Sequence, residues 1–185
     1  MLTFGKIMRR PAGFSLIEMM IVLVIFAIGL AIGLPSYSLW VANSKIRNAA
    51  ESILNGIQLA RAEAVMRNTR VQFVVTTNSG WSFGCSAPTA TCPAVIQSRA
   101  ASEGSDGVTV AVSNSGTVNT VFFNGFGASV TAAGAVGPAR VDFDVDSSVL
   151  SAANSRELRV SVFSSGSVRM CDPSLGGTDP RRCVI

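Results

Sequence analysis

The segment RRPAGFSLIEMMIVLVIFAIGLAIGLP, residues 9–35, decides the architecture of the first part of this 185-residue chain. The 21 residues of 14–34 include only two clearly polar side chains, Ser15 and Glu18. As an α-helix, a run of that length spans about 30 Å, which is the thickness of the hydrocarbon core of a bilayer. The sequence therefore predicts a membrane-spanning helix that carries one carboxylate close to its start.

Three basic residues, Lys6, Arg9 and Arg10, precede the apolar run and should remain in the cytoplasm, so that the rest of the chain faces outward. A secretory signal peptide is a weaker interpretation, because the run ends in Gly-Leu-Pro-Ser-Tyr and continues into a helical pattern. A plain membrane anchor leaves Glu18 unexplained, because a carboxylate within the bilayer is costly unless it is paired. We therefore expect Glu18 to have a partner.

The composition argues against most enzyme classes. The sequence contains no histidine, which excludes Ser-His-Asp and Cys-His nucleophile systems as well as imidazole metal sites. We predict no catalytic activity, no cofactor and no metal site. Much of the net charge of +4 comes from the three basic residues before the apolar run, and beyond residue 35 there are 12 basic and 10 acidic residues. The overall charge therefore gives little support to nucleic-acid binding.

The four cysteines, Cys85, Cys92, Cys171 and Cys183, all follow the apolar run. An even count outside the membrane indicates two disulfides in an oxidising compartment. Three connectivities are open, and we favour the pairing of the sequence neighbours. A zinc site is less well supported, because the spacings C-x6-C and C-x11-C differ from the usual C-x2-4-C.

The helical pattern continues through residues 38–68. Apolar residues follow a three-four spacing that places them on one face of a helix: Ile46, Ala49, Ala50, Ile53, Ile57, Ala60 and Ala64. We expect this stripe to pack against a globular part of the chain. Glu63 and Arg67 are spaced as an i,i+4 ion pair, worth about 0.2–0.5 kcal/mol.

Beyond Thr69 the chain consists of short β-branched runs separated by Gly, Ser, Asn and Pro, which predicts antiparallel sheets. The runs are 71–75, 108–112, 121–123, 140–145 and 158–163. Segments 84–107 and 124–139 are rich in small and polar residues and are predicted to be surface loops.

The stretch 141–146 alternates apolar residues with aspartates, as in a strand with one face in solvent. Three alternating aspartates also resemble the start of a calcium-binding loop. That motif needs Gly at its sixth position and Glu at its twelfth, where this chain has Ser147 and Ala153. The half-solvated strand is therefore the better interpretation.

The hexapeptide Gly13-Phe14-Ser15-Leu16-Ile17-Glu18 resembles the class III signal of type IV pilins and type II secretion pseudopilins. The resemblance implies that a prepilin peptidase cuts between Gly13 and Phe14 and methylates the new N-terminus. It also implies that Glu18 pairs with the N-terminal amine of a neighbouring subunit as the apolar helices bundle into a filament. Pro35 lies where this family often carries a proline.

The order of elements, together with Leu59 to Asn68, resembles the GspH/FimT family of minor pilins and pseudopilins and its "ARSEAxxR" stretch. This resemblance implies an α+β fold in which a long N-terminal α-helix precedes a small antiparallel β-sandwich. The expected parts are a leader (1–13), a membrane or filament-core helix (14–35), its amphipathic continuation (36–69) and a β-rich domain (70–185).

The resemblance also implies the partners and location of the chain. The expected partners are the prepilin peptidase, other major and minor pilins or pseudopilins, and the inner membrane. The chain would be a bacterial inner-membrane protein with a single span and a periplasmic C-terminal domain before it joins a filament. It would serve either as a minor pilin of a type IV pilus or as a pseudopilin of a type II secretion system.

The cysteine-closed tail is most similar to the FimT-like branch, some members of which bind DNA through a Gly-Arg-x-Arg motif. Here Ser167 replaces the first arginine of that motif, and only Arg169 is retained. Duplex DNA is therefore the weaker hypothesis, with these candidate contacts: Arg156, Arg159, Arg169, Arg181 and Arg182. The alternative is that these arginines pair with nearby acids such as Asp172 and Asp179, or contact the next subunit.

Overall fold

The computed structural model describes residues 13–114, 117–151 and 153–184. The predicted basic flank of Lys6, Arg9 and Arg10 lies outside the described residues. The chain divides into two compact units, with the boundary after Ser38. Helix α1, Leu16–Met66, begins in the first unit and ends in the second.

The described part of the first unit is mostly helix, and its large apolar side chains are exposed; Leu16, for example, is 80 % exposed. By length and composition α1 could cross a membrane, and it is the single helix of that kind among the described residues. The backbone at Pro35 is helical. Because proline has no N–H, it cannot donate to the carbonyl four residues earlier.

In the second unit, α1 buries the stripe that the sequence predicts. Ile46, Ile53 and Ile57 are fully buried, and so are the stripe alanines. The three-four spacing is the cause, because it places these side chains on one helical face. The prediction of an amphipathic helix that packs against the globular part is confirmed.

Within the described residues, ten strands build two antiparallel sheets of five strands each. The strands are β1 (Val71–Val75), β2 (Trp81–Cys85), β3 (Gln97–Arg99), β4 (Val108–Asn114), β5 (Thr117–Val118), β6 (Thr120–Phe123), β7 (Ser129–Val130), β8 (Ala139–Val145), β9 (Leu158–Val162) and β10 (Val168–Cys171). The first sheet has the order β3-β2-β1-β6-β7, and the second has the order β10-β9-β8-β4-β5. The predicted α+β class is thereby confirmed.

Buried residues of α1 and of both sheets form one hydrophobic core. The alternation predicted for 141–146 appears in β8, where Val141, Phe143 and Val145 are buried and the residues between them are not. An aromatic side chain connects the first sheet to the helix, because Trp81 Nε1 donates to Ser52 Oγ at 2.8 Å. The helix is therefore held by polar as well as apolar contacts.

The five runs predicted as strands are β1, β4, β6, β8 and β9, whereas β2, β3, β5, β7 and β10 were not predicted. The prediction of surface loops at 84–107 and 124–139 is wrong in part. The first segment contains the end of β2 and all of β3, and the second contains the buried strand β7.

The glycine in β2 explains why that strand escaped prediction. Gly84 interrupts the apolar pattern, but a Cβ there would lie 2.0 Å from the carbonyl oxygen of Ala94. Only glycine permits this close backbone approach, because any side chain would collide with the backbone of the following segment. The glycine that interrupts the apolar pattern is therefore required by a contact with Ala94, which the local composition does not show.

Candidate functional site

The predicted cleavage site lies immediately before the first turn of α1. Gly13, Phe14 and Ser15 are not helical, and Phe14 is 78 % exposed. Exposed backbone outside a regular element is accessible to proteolysis. The bond between Gly13 and Phe14 can therefore be approached without disrupting the helical hydrogen bonds.

A serine cap fixes where the helix begins. The backbone N–H of Glu18 donates to Ser15 Oγ at 3.2 Å, and the N–H of Met19 donates to the Ser15 carbonyl at 3.2 Å. Ser15 and Glu18 have the Ser-x-x-Glu spacing of a capping box. The Ser15 side chain thus caps the N-terminus of the helix by accepting the Glu18 N–H.

The Glu18 carboxylate lies in the first turn of α1 and is exposed. The N-terminal end of a helix carries partial positive charge and favours a carboxylate there. No basic side chain among the described residues forms an ion pair with Glu18.

The helix residues in the ARAEAVMR stretch hold two distant loops. Arg61 Nε donates to the Gly127 carbonyl at 3.0 Å. Arg67 Nε pairs with Glu63 at 2.7 Å, and another nitrogen of the same guanidinium donates to the Thr91 carbonyl at 2.5 Å. The spacing correctly predicts the Glu63–Arg67 pair but misses the loop contacts. Since one arginine has five N–H donors, the Arg67 guanidinium can pair with Glu63 and at the same time donate to a loop carbonyl.

The two disulfides join the sequence neighbours. Cys85 is bonded to Cys92, with Cα atoms 5.8 Å apart, and Cys171 is bonded to Cys183, with Cα atoms 5.0 Å apart. The second bridge closes the tail onto the end of β10. This favoured connectivity is the one that the structure contains.

The tail arginines contact acceptors in the same tail. Arg169 donates to the Pro180 carbonyl. Arg181 Nε and one terminal nitrogen donate to the two carboxylate oxygens of Asp179 at 3.2 and 3.0 Å. Hydrogen bonds from the Arg181 side chain, and then from its backbone N–H, lower the pKa of Asp179 below its usual value. Two of the five candidate DNA contacts are therefore engaged within the tail.

The other three candidates differ in their contacts. Arg159 forms an ion pair with Asp142 across neighbouring strands. Arg156 is fixed through its backbone, whose N–H donates to Asn43 Oδ1 at 2.8 Å, while its side chain is exposed. Arg182 is also exposed. The structure does not gather the five arginines onto one unpaired surface.

The alternating aspartates in and just after β8, Asp142, Asp144 and Asp146, have protein partners. Asp142 pairs with Arg159, and Asp144 accepts from Ser155 Oγ at 3.0 Å. Asp146 accepts from the Ser148 N–H at 2.8 Å, and hydrogen bonding from Ser148 lowers its pKa. Within the described residues, no group of His, Cys, Asp or Glu is arranged to hold a metal ion.

Two sequence families match this chain. Residues 49–183 match the family described as type II transport protein GspH, which covers more than half of the chain. The chain belongs to the GspH family. Residues 8–34 match the prokaryotic N-terminal methylation motif. Together these matches support the role of a minor pilin or pseudopilin that is anchored in a membrane by its apolar helix.

The fold of this GspH-family chain is shared with the solved structure of a minor pilin, FimU, and a second solved structure is given with it for comparison. The type IV minor pilin FimU of Pseudomonas aeruginosa is similar at a TM-score of 0.51 and 14 % identity, over 73 % of this chain and 94 % of FimU. The minor pseudopilin EpsH of the Type 2 Secretion System of Vibrio cholerae is similar at a TM-score of 0.47 and 13 % identity, over 71 % of this chain and 99 % of EpsH. The comparison with curated proteins finds no match.

Proposed function

We propose that this GspH-family chain is a minor pilin that helps to assemble a type IV pilus after cleavage between Gly13 and Phe14. The observation that carries the proposal is an exposed apolar helix whose first turn presents the carboxylate of Glu18. Such a surface is stable only when lipid or other apolar helices cover it. Both environments fit a subunit that is stored in a membrane and then packed into a filament.

The charge of Glu18 gives this packing a specific register. In a low-dielectric bundle, an isolated carboxylate is strongly penalised, whereas a carboxylate opposite a cation is favoured. We propose that the amine of Phe14 on a neighbouring subunit supplies that cation. Cleavage creates this amine, so processing and assembly are coupled by one ion pair.

The remaining parts of the proposal follow from the same resemblance. Residues 1–13 serve as the leader for a prepilin peptidase, and 14–35 form the span in the bacterial inner membrane. Residues 36–69 continue the helix, and 70–185 form the periplasmic β-rich domain. Pro35 contributes to assembly by interrupting the hydrogen bonds of the helix core. The chain acts as a structural subunit and not as an enzyme.

The test is Glu18→Ala in the full chain, with Glu51→Ala as the matched control. Glu51 is exposed on α1 in the second unit and pairs only with Arg47 at the surface. We expect both variants to reach the membrane fraction, and only Glu18→Ala to be lost from sheared filaments. Normal incorporation of Glu18→Ala would refute the pairing role. Mass spectrometry of the filaments should show a peptide that begins with N-methyl-Phe14.

The alternative is a pseudopilin of a type II secretion system. It uses the same helix and the same cleavage, so the co-purifying major subunit separates the two roles. A DNA-receptor role remains a sequence-based hypothesis, because Arg159, Arg169 and Arg181 already contact acceptors. Salt-sensitive binding of duplex DNA by the full chain in detergent would support that role.

A further inference from the structure

The turn between β6 and β7 displays an aromatic ring to solvent. Phe126 is 90 % exposed, which makes it the most exposed large apolar side chain among the described residues. Three further exposed apolar side chains, Leu59, Val65 and Met66, lie on the last turns of α1. The turn touches that end of the helix, because a Cβ on Gly127 would be 2.9 Å from Val65 Cγ2. We call these four side chains the apolar end patch; a contiguous exposed apolar patch is typical of an interaction site.

The backbone that carries Phe126 is held in place. Asn124 Oδ1 accepts from the Phe126 N–H at 3.1 Å and from the Ala128 N–H at 3.0 Å. Arg61 Nε donates to the Gly127 carbonyl at 3.0 Å, and Gly127 has φ +77°. An aromatic side chain on a fixed turn loses little conformational freedom when a partner covers it, which favours binding.

A groove of about 630 Å³ lies at the other end of the helix within the second unit, between α1, β10 and the disulfide-closed tail. Its lining includes the apolar side chains of Leu39, Leu158 and Met170, which are half-buried against the core. The volume is in the range of small-molecule sites and is large enough for an aromatic side chain.

The charged groups of the groove balance one another. Two lining arginines are paired with acids outside the lining: Arg47 with Glu51, and Arg181 with Asp179. The other two charged groups of the lining are Arg156 and Asp172, and no ion pair of either is found in the part of the chain that the structure describes. A groove with an apolar floor and one unpaired charge of each sign favours an apolar group beside a cation over a free anion.

The apolar end patch supplies a partner for each unpaired group of the groove. The guanidinium of Arg61 lies beside Phe126, and no ion pair of Arg61 is found within the described ranges, so it can face Asp172. The phenyl ring can lie on the Arg156 guanidinium, because the face of an aromatic ring attracts a cation. This chain already has such a contact, in which Arg70 lies 4.2 Å from the centroid of the Phe122 ring.

The two surfaces are far apart on the same helix. Asn43 lines the groove and Val65 belongs to the patch, and 22 helical residues separate them by about 33 Å. One copy can therefore place its patch in the groove of the next copy while its own groove stays open. A contact of this kind joins two different surfaces, so it is heterologous and leaves a free surface at each end of the assembly.

We propose that the apolar end patch docks in the groove of a second copy of this chain, with the Phe126 ring on Arg156 and Arg61 opposite Asp172. The occupant is a second copy because this chain itself carries both complementary surfaces. The contact goes beyond the proposed function, since all of its residues lie in the second unit and the Glu18 ion pair takes no part in it.

The first experiment maps the contact by photocrosslinking of the full chain in a non-denaturing detergent. Phe126 is replaced by the photoreactive amino acid benzoylphenylalanine, and chains labelled with heavy nitrogen are mixed with unlabelled chains. Mass spectrometry should find heavy peptides linked to light ones, from position 126 to residues 39–47 or 156–172. The control places the same photoreactive residue at Val149, which is exposed and belongs to neither surface, and should not give these links.

Three crosslinking results would overturn the proposal. They are links between copies that fall outside the groove, links to detergent alone, and the same groove links from position 149. A probe at 126 that reacts in cells with a different filament subunit, and not with a second copy, would also show that the proposed occupant is wrong.

The second experiment tests whether the contact is heterologous. Phe126→Ala removes the ring, and Asp172→Lys places a positive charge opposite Arg61. Sedimentation should show that each variant associates about tenfold or more weakly than the unchanged chain. An equimolar mixture of the two should form dimers and no larger species, because each variant retains one intact surface. A mixture that stays as weakly associated as its components would refute the pairing of patch with groove.

Folding and helix association are checked in the same preparations. The thermal midpoint of Phe126→Ala should be unchanged, because the ring is exposed. If Asp172→Lys lowers the midpoint, Arg156→Ala replaces it as the groove variant. The crosslink from 126 should persist in Glu18→Ala, where the ion pair of the proposed function is absent. Its loss in that variant would assign the association to the apolar helices and contradict docking through the groove, whereas normal filament incorporation of Glu18→Ala contradicts only the proposed function.

Discussion

Replacing Gly56 with alanine tests how tightly α1 packs on the first sheet. Gly56 lies in the buried part of the helix, where an added Cβ would be 2.7 Å from Phe73 Cε2 and 3.1 Å from Trp81 Cε2. These atoms belong to two aromatic rings whose centroids are 5.5 Å apart in the core. Neither ring is the free end of a flexible side chain, so the methyl group has no space to occupy.

Two opposing effects set the magnitude. Alanine is a better helix former than glycine by about 1 kcal/mol. Overpacking a well-filled core costs about 1–3 kcal/mol. Displacement of the Trp81 ring would also break its 2.8 Å hydrogen bond to Ser52, at a cost of about 0.5–1.5 kcal/mol. Packing therefore wins, and we expect the variant to lose about 2 kcal/mol of unfolding free energy.

Thermal unfolding of the full chain in detergent, followed by circular dichroism, measures this loss. For a chain of this length, about 2 kcal/mol lowers Tm by about 4–8 °C. Asn55→Ala is the matched control, because Asn55 is an exposed neighbour on the same helix. It should be neutral or slightly stabilising. If Gly56→Ala is as stable as Asn55→Ala, the close packing described here is wrong.

Two further predictions concern the turn before β10 and the tail. Gly166 has φ +78°, and a Cβ there would lie 1.8 Å from the Gly127 carbonyl oxygen, so Gly166→Ala should cost about 3 kcal/mol or more in chemical denaturation. Gly134→Ala, at φ +90° with no neighbour within 4 Å, isolates the backbone effect, and an equal loss in both variants would contradict the clash. Asp179 should titrate below its ordinary value of 3.8 when followed by NMR. Because its pKa is lowered on folding, its stabilising contribution is present above that value and is lost as the pH falls through the folded pKa. Arg181→Gln should raise the midpoint, and an unchanged midpoint would exclude Arg181 as the cause.

Prediction from the sequence was correct where the deciding pattern is formed by residues that are only a few positions apart in the chain. The stripe from Ile46 to Ala64 is buried as its spacing predicts, and the alternation in β8 puts Phe143 in the core. These patterns work because helical and extended backbones repeat every few residues. Strands β2 and β10 escaped prediction because their pairing depends on partners and on a glycine contact that local composition does not reveal.

The residues of the candidate site show the same contrast between local patterns, which the sequence reveals, and long-range contacts, which it does not. Glu18 could be singled out from the sequence, because a carboxylate in an apolar run is a local feature. The cap by Ser15 was not predicted, although the Ser-x-x-Glu spacing signals it. The arginines could not be assigned, because charge counts do not show which acceptors they reach. Arg169 donates a hydrogen bond to the Pro180 carbonyl, and Arg159 forms an ion pair with Asp142 on the neighbouring strand. Because these arginines already contact acceptors within the chain, the hypothesis that they form a DNA-binding surface is weaker.

By itself, the sequence determined the apolar helix, its lone carboxylate and the outline of an α+β chain, because each depends on residues a few positions apart. Only the tertiary structure decided the order of the strands, the engagement of the tail arginines and the contact of α1 with the segment before β9. Asn43 and Arg156, for example, are 113 positions apart and are joined by one hydrogen bond. Contacts over such distances depend on how the whole core packs, and no local pattern encodes them.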